Sequence, residues 1–395
     1  MGTKKTDPRK VTVSPLVYVE TSYSYDALNR VTTKTYNDGT PNVTYKYDSQ
    51  ALVASAPDAS VFNRGDSIGR LVSVTSGGAA SGGTYYGYDA LGRVIEQIQQ
   101  TDGVNYEVNA TYNRAGALLT ETYPLNPTTG ARRTVTHTFD GAGRLASLTT
   151  SGAAVTAIKY ASHGALASES YGTLVHSIQY NTRLQPTAIQ LGTALVPDSK
   201  LDLSYSYGTT TNNRNVTSAS ITVDSEVWTQ SFTYDALNRL DTAKEVNGVT
   251  TWTQNFDYDQ YGNRCLRASA NTACVPAVNA GNNRLNIAGY SHDLAGNVVD
   301  DTLHTYTFDA ENRIETVDGA SAYIYDGEGN RVRKLVGENL VMVNGITGEL
   351  LSEFDGAGRL HPSRPKGLTV SRRRNASGRA RPGLSPPIRA PSQRR

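Results

Sequence analysis

One short motif recurs along this chain and constrains its fold more than any other feature. It consists of an aromatic residue, Asp, two variable residues, Gly or Asn, and then Arg, and we call it the YD motif. The clearest copies read YDALNRV, YDALGRV, FDGAGRL, YDALNRL, YDQYGNR, FDAENRI, YDGEGNRV and FDGAGRL. Internal repeats of this kind indicate supersecondary units stacked on their neighbours. Their uneven spacing argues against a propeller or a leucine-rich array, which keep a fixed period.

The intact copies supply the residues that we predict to form structural turns. These are Tyr25, Asp26, Asn29, Arg30, Tyr88, Asp89, Gly92, Arg93, Phe139, Asp140, Gly143, Arg144, Tyr234, Asp235, Asn238, Arg239, Tyr258, Asp259, Phe308, Asp309, Tyr325, Asp326, Phe354, Asp355, Gly358 and Arg359. Eroded copies begin at Tyr47, Asp66, Tyr112, Tyr160, Tyr180 and His292. Because they lie between the intact copies, they predict a continuous array.

Each copy has the pattern of a strand, a tight turn and a second strand. In THTFDGAGRLASL, residues 136–148, β-branched and aromatic residues lead into Asp140, and apolar–polar alternation resumes after the turn. The Asp140 carboxylate can accept hydrogen bonds from backbone amides further along, and Gly143 can take positive φ. Asn29 and Asn238 replace that glycine in two copies, and Asn tolerates positive φ best among other residues. We expect each Arg to pair with an Asp of its own or an adjacent turn.

A second kind of turn lies between the copies. It is formed by Asp38-Gly39, Asp102-Gly103, Asn247-Gly248 and Asp318-Gly319. Such pairs favour tight β-hairpins because both residues can take positive φ. The strands would then alternate between a YD turn at one edge and an Asx-Gly turn at the other. The predicted fold class is therefore all-β, with tandem hairpins forming one long antiparallel sheet.

Tyrosine dominates the aromatic residues, with 24 Tyr against 6 Phe and 2 Trp. Tyrosine suits half-buried strands, and we expect one face of each ring to pack while the hydroxyl stays in water. Only 38% of the residues are hydrophobic, so a thick continuous core is not expected. Burial of the rings should drive folding, while Asp, Gly and Asn set the path of the chain.

The charge is divided between a long acidic body and a short basic tail. Ten of the 38 Lys and Arg residues, and none of the 36 acidic ones, lie from His361 onward, which leaves residues 1–360 with a net charge of −8. An acidic body argues against nucleic acid as a partner. We predict an N-terminal extension at 1–20, a repeat domain at 21–360 and a disordered Arg/Pro/Ser-rich tail at 361–395. The chain shows no readable signal peptide and no apolar run long enough for a membrane span.

These tandem copies resemble the Rhs/YD-repeat family, which includes bacterial Rhs proteins, the shell component of insecticidal Tc toxins and the YD shells of teneurins. The resemblance covers residues 21–360 and implies one sheet of hairpins that spirals into a hollow shell. In bacterial members the shell encloses a C-terminal toxin, which is released after a core segment cleaves itself with aspartate residues. Residues 325–360 resemble the segment before that core, whereas 361–395 resemble neither core nor toxin. We therefore assign no self-cleaving aspartate here, and a frameshift or gene decay is our hypothesis for the tail.

The resemblance implies a non-enzymatic shell segment of a secreted or cell-surface protein, with a C-terminal toxin or effector as its cargo. Two alternatives remain open. The first is an extracellular adhesion module that binds a surface glycan or protein through exposed tyrosines. The second is a decayed fragment without independent activity.

No motif in the sequence indicates a catalytic or metal-binding site more strongly than a structural role. Asp257 and Asp259 lie two residues apart, on one face of a strand, but Asp259 is the YD aspartate. The six histidines lack metal-ligand spacing, and no phosphate-binding or nucleophile motif is present, so we predict no cofactor or metal. Cys265 and Cys274 lie close enough in sequence for a disulfide, and two free thiols fit equally well.

Overall fold

The computed structural model describes residues 4–13, 16–58, 62–77, 82–208, 212–267 and 276–361. Every regular element of secondary structure in these residues is a β-strand, which confirms the all-β prediction. The strands are β1 (Lys4–Val13), β2 (Leu16–Tyr25), β3 (Val31–Tyr36), β4 (Val43–Tyr47), β5 (Leu71–Ser76), β6 (Gly82–Tyr88), β7 (Val94–Thr101), β8 (Val104–Tyr112), β9 (Leu118–Asn126), β10 (Ala131–Phe139), β11 (Leu145–Thr150), β12 (Ala153–Tyr160), β13 (Leu166–Tyr171), β14 (Leu174–Tyr180), β15 (Pro186–Thr193), β16 (Leu201–Ser206), β17 (Ser218–Val223), β18 (Glu226–Tyr234), β19 (Leu240–Asn247), β20 (Val249–Tyr258), β21 (Arg264–Arg267), β22 (Val278–Asn279), β23 (Arg284–Leu285), β24 (Ser291–His292), β25 (Val298–Asp300), β26 (Tyr306–Phe308), β27 (Ile314–Val317), β28 (Ala320–Ser321), β29 (Tyr323–Tyr325), β30 (Arg331–Lys334), β31 (Leu340–Asn344) and β32 (Leu350–Asp355).

Strands β1–β21 form one 21-stranded sheet, which we call the strip. Each strand pairs antiparallel with the next one along the chain. YD turns join the strands at one edge, which we call the YD edge, and the opposite edge, with the Asx-Gly turns, is the Asx edge. Strand β1 and the start of β2 precede Thr21, so the sheet begins within the segment predicted as an extension.

A register shift marks the end of most strands that lead into a YD turn. It falls between Ser24 and Tyr25, and again between Gly87 and Tyr88 and between Thr233 and Tyr234. Such β-bulges bend the strand and increase its local twist. Each repeat therefore bends the strand as well as reversing the chain. The bend could not be predicted from the motif sequence.

The chain beyond the strip forms four smaller sheets. These are β22–β23, β24–β25, β26–β28 and β29–β32, the last of which we call the inner sheet. The inner sheet packs against β7 and β9 of the strip. We call the face of the strip that it covers the inner face.

The buried apolar residues lie in separate clusters on the two faces of the strip. Tyr85 packs against Phe62 on the outer face, where residues 51–58 and 62–64 cover the sheet. Tyr86, the next residue, points the other way and bonds to Glu328. The cluster that joins the inner sheet to the strip consists of Tyr106, Val108, Val341, Val343 and Phe354. Alternation along each strand thus builds two thin cores, as the low hydrophobic content predicted.

The tail predicted at 361–395 lies outside the described residues apart from His361, whose backbone amide bonds to the Glu353 carbonyl. Among the described parts of the chain there is no helix long and apolar enough to cross a membrane.

Candidate functional site

The YD turn is built around its aspartate. Asp26 Oδ1 accepts hydrogen bonds from the backbone amides of Leu28 and Arg30, each at 2.9 Å. The guanidinium Nε of Arg30 donates to Asp26 Oδ2 at 2.7 Å, and the Asp26 amide donates to the Arg30 carbonyl at 3.0 Å. One carboxylate therefore organises both the backbone reversal and the arginine.

The same pattern of bonds recurs in the other intact turns. Asp89, Asp140, Asp235, Asp309 and Asp355 each accept the two amides and the arginine of their own turn. In three copies an asparagine side chain replaces the arginine as the donor, namely Asn263, Asn297 and Asn330.

The fifth residue of each turn adopts positive φ. Asn29 and Asn238 have φ of 64° and 61°, and Gly92 and Gly143 have φ of 77° and 74°. Leu184 occupies this position in an eroded copy with φ of 62°. A leucine there is strained, because a β-carbon crowds the following carbonyl in this conformation.

Arginines and tyrosines link each turn to the next repeat. The Arg239 guanidinium carbon lies 4.3 Å from the centre of the Tyr258 ring, and the Tyr258 hydroxyl donates to the Leu240 carbonyl at 2.8 Å. Our expectation that the hydroxyls stay in water is wrong at these positions, since a neighbouring strand offers each of them a carbonyl. Stacking and bonding together set each repeat against the one before it.

This link recurs through the strip and reaches the inner sheet. Six arginines stack on the tyrosine of the following repeat, in the pairs Arg30–Tyr47, Arg70–Tyr88, Arg93–Tyr112, Arg144–Tyr160, Arg239–Tyr258 and Arg313–Tyr325. In each of these pairs the tyrosine hydroxyl donates to the carbonyl of the residue after the arginine.

The pKa of the turn aspartate is shifted in opposite directions in the strip and in the inner sheet. The backbone amide of Arg239, followed by its side chain, lowers the pKa of the Asp235 carboxyl against the opposing effect of burial. Asp326 occupies the same position in the turn between β29 and β30, and burial raises its pKa despite the bonds from Asn330. The difference arises because this turn packs into the molecule.

Two YD turns after the strip dock against its inner face. Glu311, in the turn between β26 and β27, accepts a hydrogen bond from the Tyr36 hydroxyl at 2.9 Å. The Ala310 amide donates to Thr40 Oγ1 at 2.8 Å, within the turn between β3 and β4. A YD turn thus contacts the Asx edge of an earlier part of the chain.

The second docked turn lies deeper. Glu328 bonds to the Tyr86 hydroxyl, and the Tyr45 hydroxyl donates to the Gly327 carbonyl at 3.2 Å. A Cβ atom at Gly327 would overlap methyl groups of Val43 and Val74. Glycine is therefore required here by close packing, whereas four other copies hold alanine at this position.

Glutamine side chains of β7 hold the edge of β31. Gln97 Nε2 donates to the Asn344 carbonyl at 2.9 Å, and Gln99 Nε2 donates to the Met342 carbonyl at 2.8 Å. The Asn344 amide in turn donates to Gln99 Oε1 at 3.3 Å. Arg333 of β30 also forms an ion pair with Asp102 at the Asx edge. Polar side chains therefore supply backbone partners that a neighbouring strand would otherwise provide.

A pair of carboxyl groups lies at the same interface. Glu121 of β9 is 6% exposed and forms a hydrogen bond with Glu349, in the segment between β31 and β32. Burial, and next the charge of Glu349, raise the pKa of Glu121 to about 8. The two groups can bond only if one of them is protonated. The contact is thus sensitive to pH.

A polar cavity of about 410 Å³ lies between the strip and the inner sheet. Its lining includes Tyr86, Gln97, Asp326, Glu328 and Asn344. Burial raises the pKa of Glu328, against a lowering effect of the Tyr86 hydroxyl. The Asn344 Nδ2 group is buried and has no hydrogen-bond partner.

The residues that the sequence raised as catalytic or disulfide candidates do not come together in one site within the described residues. Asp259 organises its own turn, while the Asp257 carboxylate lies 3.2 Å from Arg267. No three metal-binding side chains of His, Cys, Asp or Glu gather within the described ranges. Cys265 lies on β21, but Cys274 lies outside the described residues, so their disulfide stays a prediction.

The interface residues were missed by the sequence reading. Glu311 and Glu328 occupy the second variable position of the motif, where other copies carry Leu28, Leu91 and Leu237. That substitution of an acid for an apolar residue was the available signal, and it marks the two turns that dock internally.

No protein-family model and no curated protein sequence matches the chain. Among solved structures, the crystal structure of TcdB2-TccC3-Cdc42 matches with 17% identity and a TM-score of 0.56, over 85% of this chain and 20% of that chain. The Photorhabdus luminescens Tc holotoxin pore with a mutation in TccC3 matches with 17% identity and a TM-score of 0.54, over the same shares. The chain thus spans 20% of the length of the solved chains that it matches. The likeness extends to the fold, and the fold expected from the resemblance to YD-repeat shells is confirmed.

Proposed function

We propose that the chain is a non-enzymatic structural segment of an Rhs-type shell, in a secreted or cell-surface protein, that encloses or presents a C-terminal effector. One observation carries this proposal: the chain folds back after the strip, and its last described segment lies on the inner face. Phe354 packs on Tyr106 of β8, and Leu360 packs against the same cluster. The described chain therefore ends against the inner face of the strip.

The docked segment is held by contacts of several kinds. Apolar packing at Phe354, the bonds from Gln97 and Gln99, and the Tyr86–Glu328 contact act along one face. Burial of an aromatic side chain stabilises by about 1.5–3 kcal/mol, and each bond adds about 0.5–1.5 kcal/mol. An inner sheet held in this way would keep a C-terminal segment inside.

A protection experiment tests this function. A peptide with one protease site would replace residues after His361, and a matched protein would carry the same peptide at its N-terminus. We expect slower cleavage of the C-terminal site. Gly327→Val, which inserts methyl groups where Val43 and Val74 already lie, should speed cleavage at the C-terminal site only. Equal cleavage of both sites in the unsubstituted proteins would contradict enclosure.

The adhesion alternative has less support from the tyrosines. It requires exposed rings. Tyr261 is exposed, but the rings of Tyr47, Tyr112 and Tyr258 are stacked by arginines and their hydroxyls are bonded. A glycan or protein partner on the outer face therefore remains a prediction without a contact that favours it.

A further inference from the structure

The cavity between the strip and the inner sheet is acidic, and its lining does not compensate the charge. Asp326 and Glu328 line it, and none of the described residues around it is basic. Burial raises the pKa of both carboxyls, and the groups that oppose this shift, Asn330 and Tyr86 among them, are uncharged. A cation bound in the cavity would therefore be stabilised by both carboxyl groups.

An amide in the cavity wall also lacks a partner. Asn344 Nδ2 is buried and has no hydrogen-bond partner in the described part of the molecule. This group is a donor, so it needs an acceptor oxygen, which a bare metal ion does not offer. A peptide with basic side chains offers both a cation for the carboxyls and a backbone carbonyl for Asn344.

The chain itself contains a peptide of this kind. Residues 362–395 lie outside the described structure and hold ten Lys and Arg residues and no acid, whereas residues 1–360 have a net charge of −8. The described chain ends at the inner sheet, where Leu360 packs against the same cluster as Ile346, a residue of the cavity wall. Ten extended residues span about 33 Å, so the segment is long enough to enter the cavity.

We propose that the acidic cavity binds basic side chains from residues 362–395 of the same chain, with Glu328 and Asp326 as the acceptors. Asp326 is half-buried and Glu328 is exposed, so the Glu328 carboxylate can be reached by a cation that enters from solvent. Guanidinium and ammonium groups donate charge-assisted hydrogen bonds to carboxylates. The inference stands apart from the proposed enclosure, because it requires no effector.

Carbodiimide cross-linking of the full chain, followed by mass spectrometry, tests this docking. The reagent joins a carboxyl to an amine, so the arginines of residues 362–395 are changed to lysine, which keeps their charge and makes each of them reactive. We expect links from this segment to Glu328 or Asp326 to exceed links to the exposed acid Glu226 by roughly twofold to fivefold, the preference that one partly solvated ion pair supports. Links spread evenly over the exposed acids would overturn the proposal.

A charge-removing variant provides a second measurement in the native sequence. Glu328→Gln keeps an oxygen that can accept from the Tyr86 hydroxyl, so the variant should fold. Trypsin should cleave within residues 362–395 roughly twofold to fivefold faster in this variant. Glu226→Gln is the matched control, because it removes the same charge from an exposed position of β18 and should leave the rate unchanged. Equal rates in the two variants would contradict the docking.

A mixture of isotope-labelled and unlabelled protein distinguishes docking within one chain from binding to a second copy. Cross-links within one chain join two peptides of the same labelling, whereas cross-links between copies also join a labelled peptide to an unlabelled one. We expect links of the first kind only. If links between labelled and unlabelled peptides predominate, the segment enters another copy, and the proposal is overturned.

Discussion

At the scale of single residues, the structure explains why the repeat uses tyrosine. A phenylalanine at Tyr258 would still pack under Arg239, but only the hydroxyl can bond to the Leu240 carbonyl. The aspartate shapes one turn, whereas the tyrosine joins two repeats. The packing of one repeat against the next therefore depends on the tyrosine hydroxyl. This role accounts for the excess of Tyr over Phe in the composition.

Tyr258→Phe tests this role of the hydroxyl. We expect the free energy of unfolding to fall by about 0.5–1.5 kcal/mol, because the Leu240 carbonyl loses its donor. Tyr261→Phe is the matched control, since that ring lies three residues away at an exposed turn position. Urea unfolding followed by circular dichroism measures both, and equal losses in the two variants would contradict the role.

Leu184→Gly tests the strain in the eroded turn. The glycine should raise the free energy of unfolding by about 1 kcal/mol, because a leucine at φ of 62° carries a steric penalty that glycine avoids. The exposed leucine side chain gives up little buried surface on removal. The reverse change, Gly143→Leu, should destabilise by a similar amount when both are compared by urea unfolding. A destabilising Leu184→Gly would show that the side chain packs more than it strains.

At the scale of the hairpin, much of the structure could be predicted from the sequence. Asp140, Gly143 and the Asp-Gly pairs determine local backbone conformation, so strands, turns and antiparallel order follow from residues near in sequence. The bulge before most of the motif aromatics was not predictable from the motif, because it depends on how two strands share their register. The carbonyl partner of each tyrosine was missed for the same reason, since it belongs to another repeat.

Acid should open the YD turn that Asp235 organises. The folded pKa of Asp235 is lowered, so its contribution to stability is present above the unfolded pKa and is lost as pH falls through the folded value. We expect hydrogen-exchange protection of the Leu237 and Arg239 amides, which both donate to Asp235, to fall below about pH 4. NMR protection factors in Asp235→Asn provide the control, because the amide cannot titrate. Protection that stays constant in the wild type at acid pH would contradict the assignment.

At the scale of the whole molecule, the sequence could not predict where the chain folds back. The contacts that hold the inner sheet join residues more than 200 positions apart, such as Gln99 with Met342 and Tyr86 with Glu328. No local pattern encodes such pairs. The signal available was the acid at the second variable position of two turns, and its meaning depends on the tyrosines opposite.

The docked inner sheet should loosen as pH rises. The pKa of Glu121 is raised to about 8 in the folded protein, from a usual value near 4.5. The folded state therefore holds a proton that the unfolded state releases, so the contribution of this pair to stability is fully present below about pH 4.5 and declines as pH rises to about 8. The groups that face Glu121 are Glu349 and, beside it, Tyr123 with Arg133 over its ring. We expect Glu121→Gln to remove most of this decline, because the amide can bond to ionised Glu349 without a proton.

Hydrogen exchange of β31 and β32, followed by mass spectrometry from about pH 5 to pH 9 and corrected for intrinsic exchange, measures this effect. Glu107→Gln is the control, since Glu107 lies on the neighbouring strand β8 but forms an ion pair with Arg132 at 2.9 Å. Its variant should keep the wild-type slope against pH. If Glu121→Gln also keeps that slope, the carboxyl pair does not control docking. If the slope disappears, the contact that places the C-terminal segment on the inner face responds to a single proton.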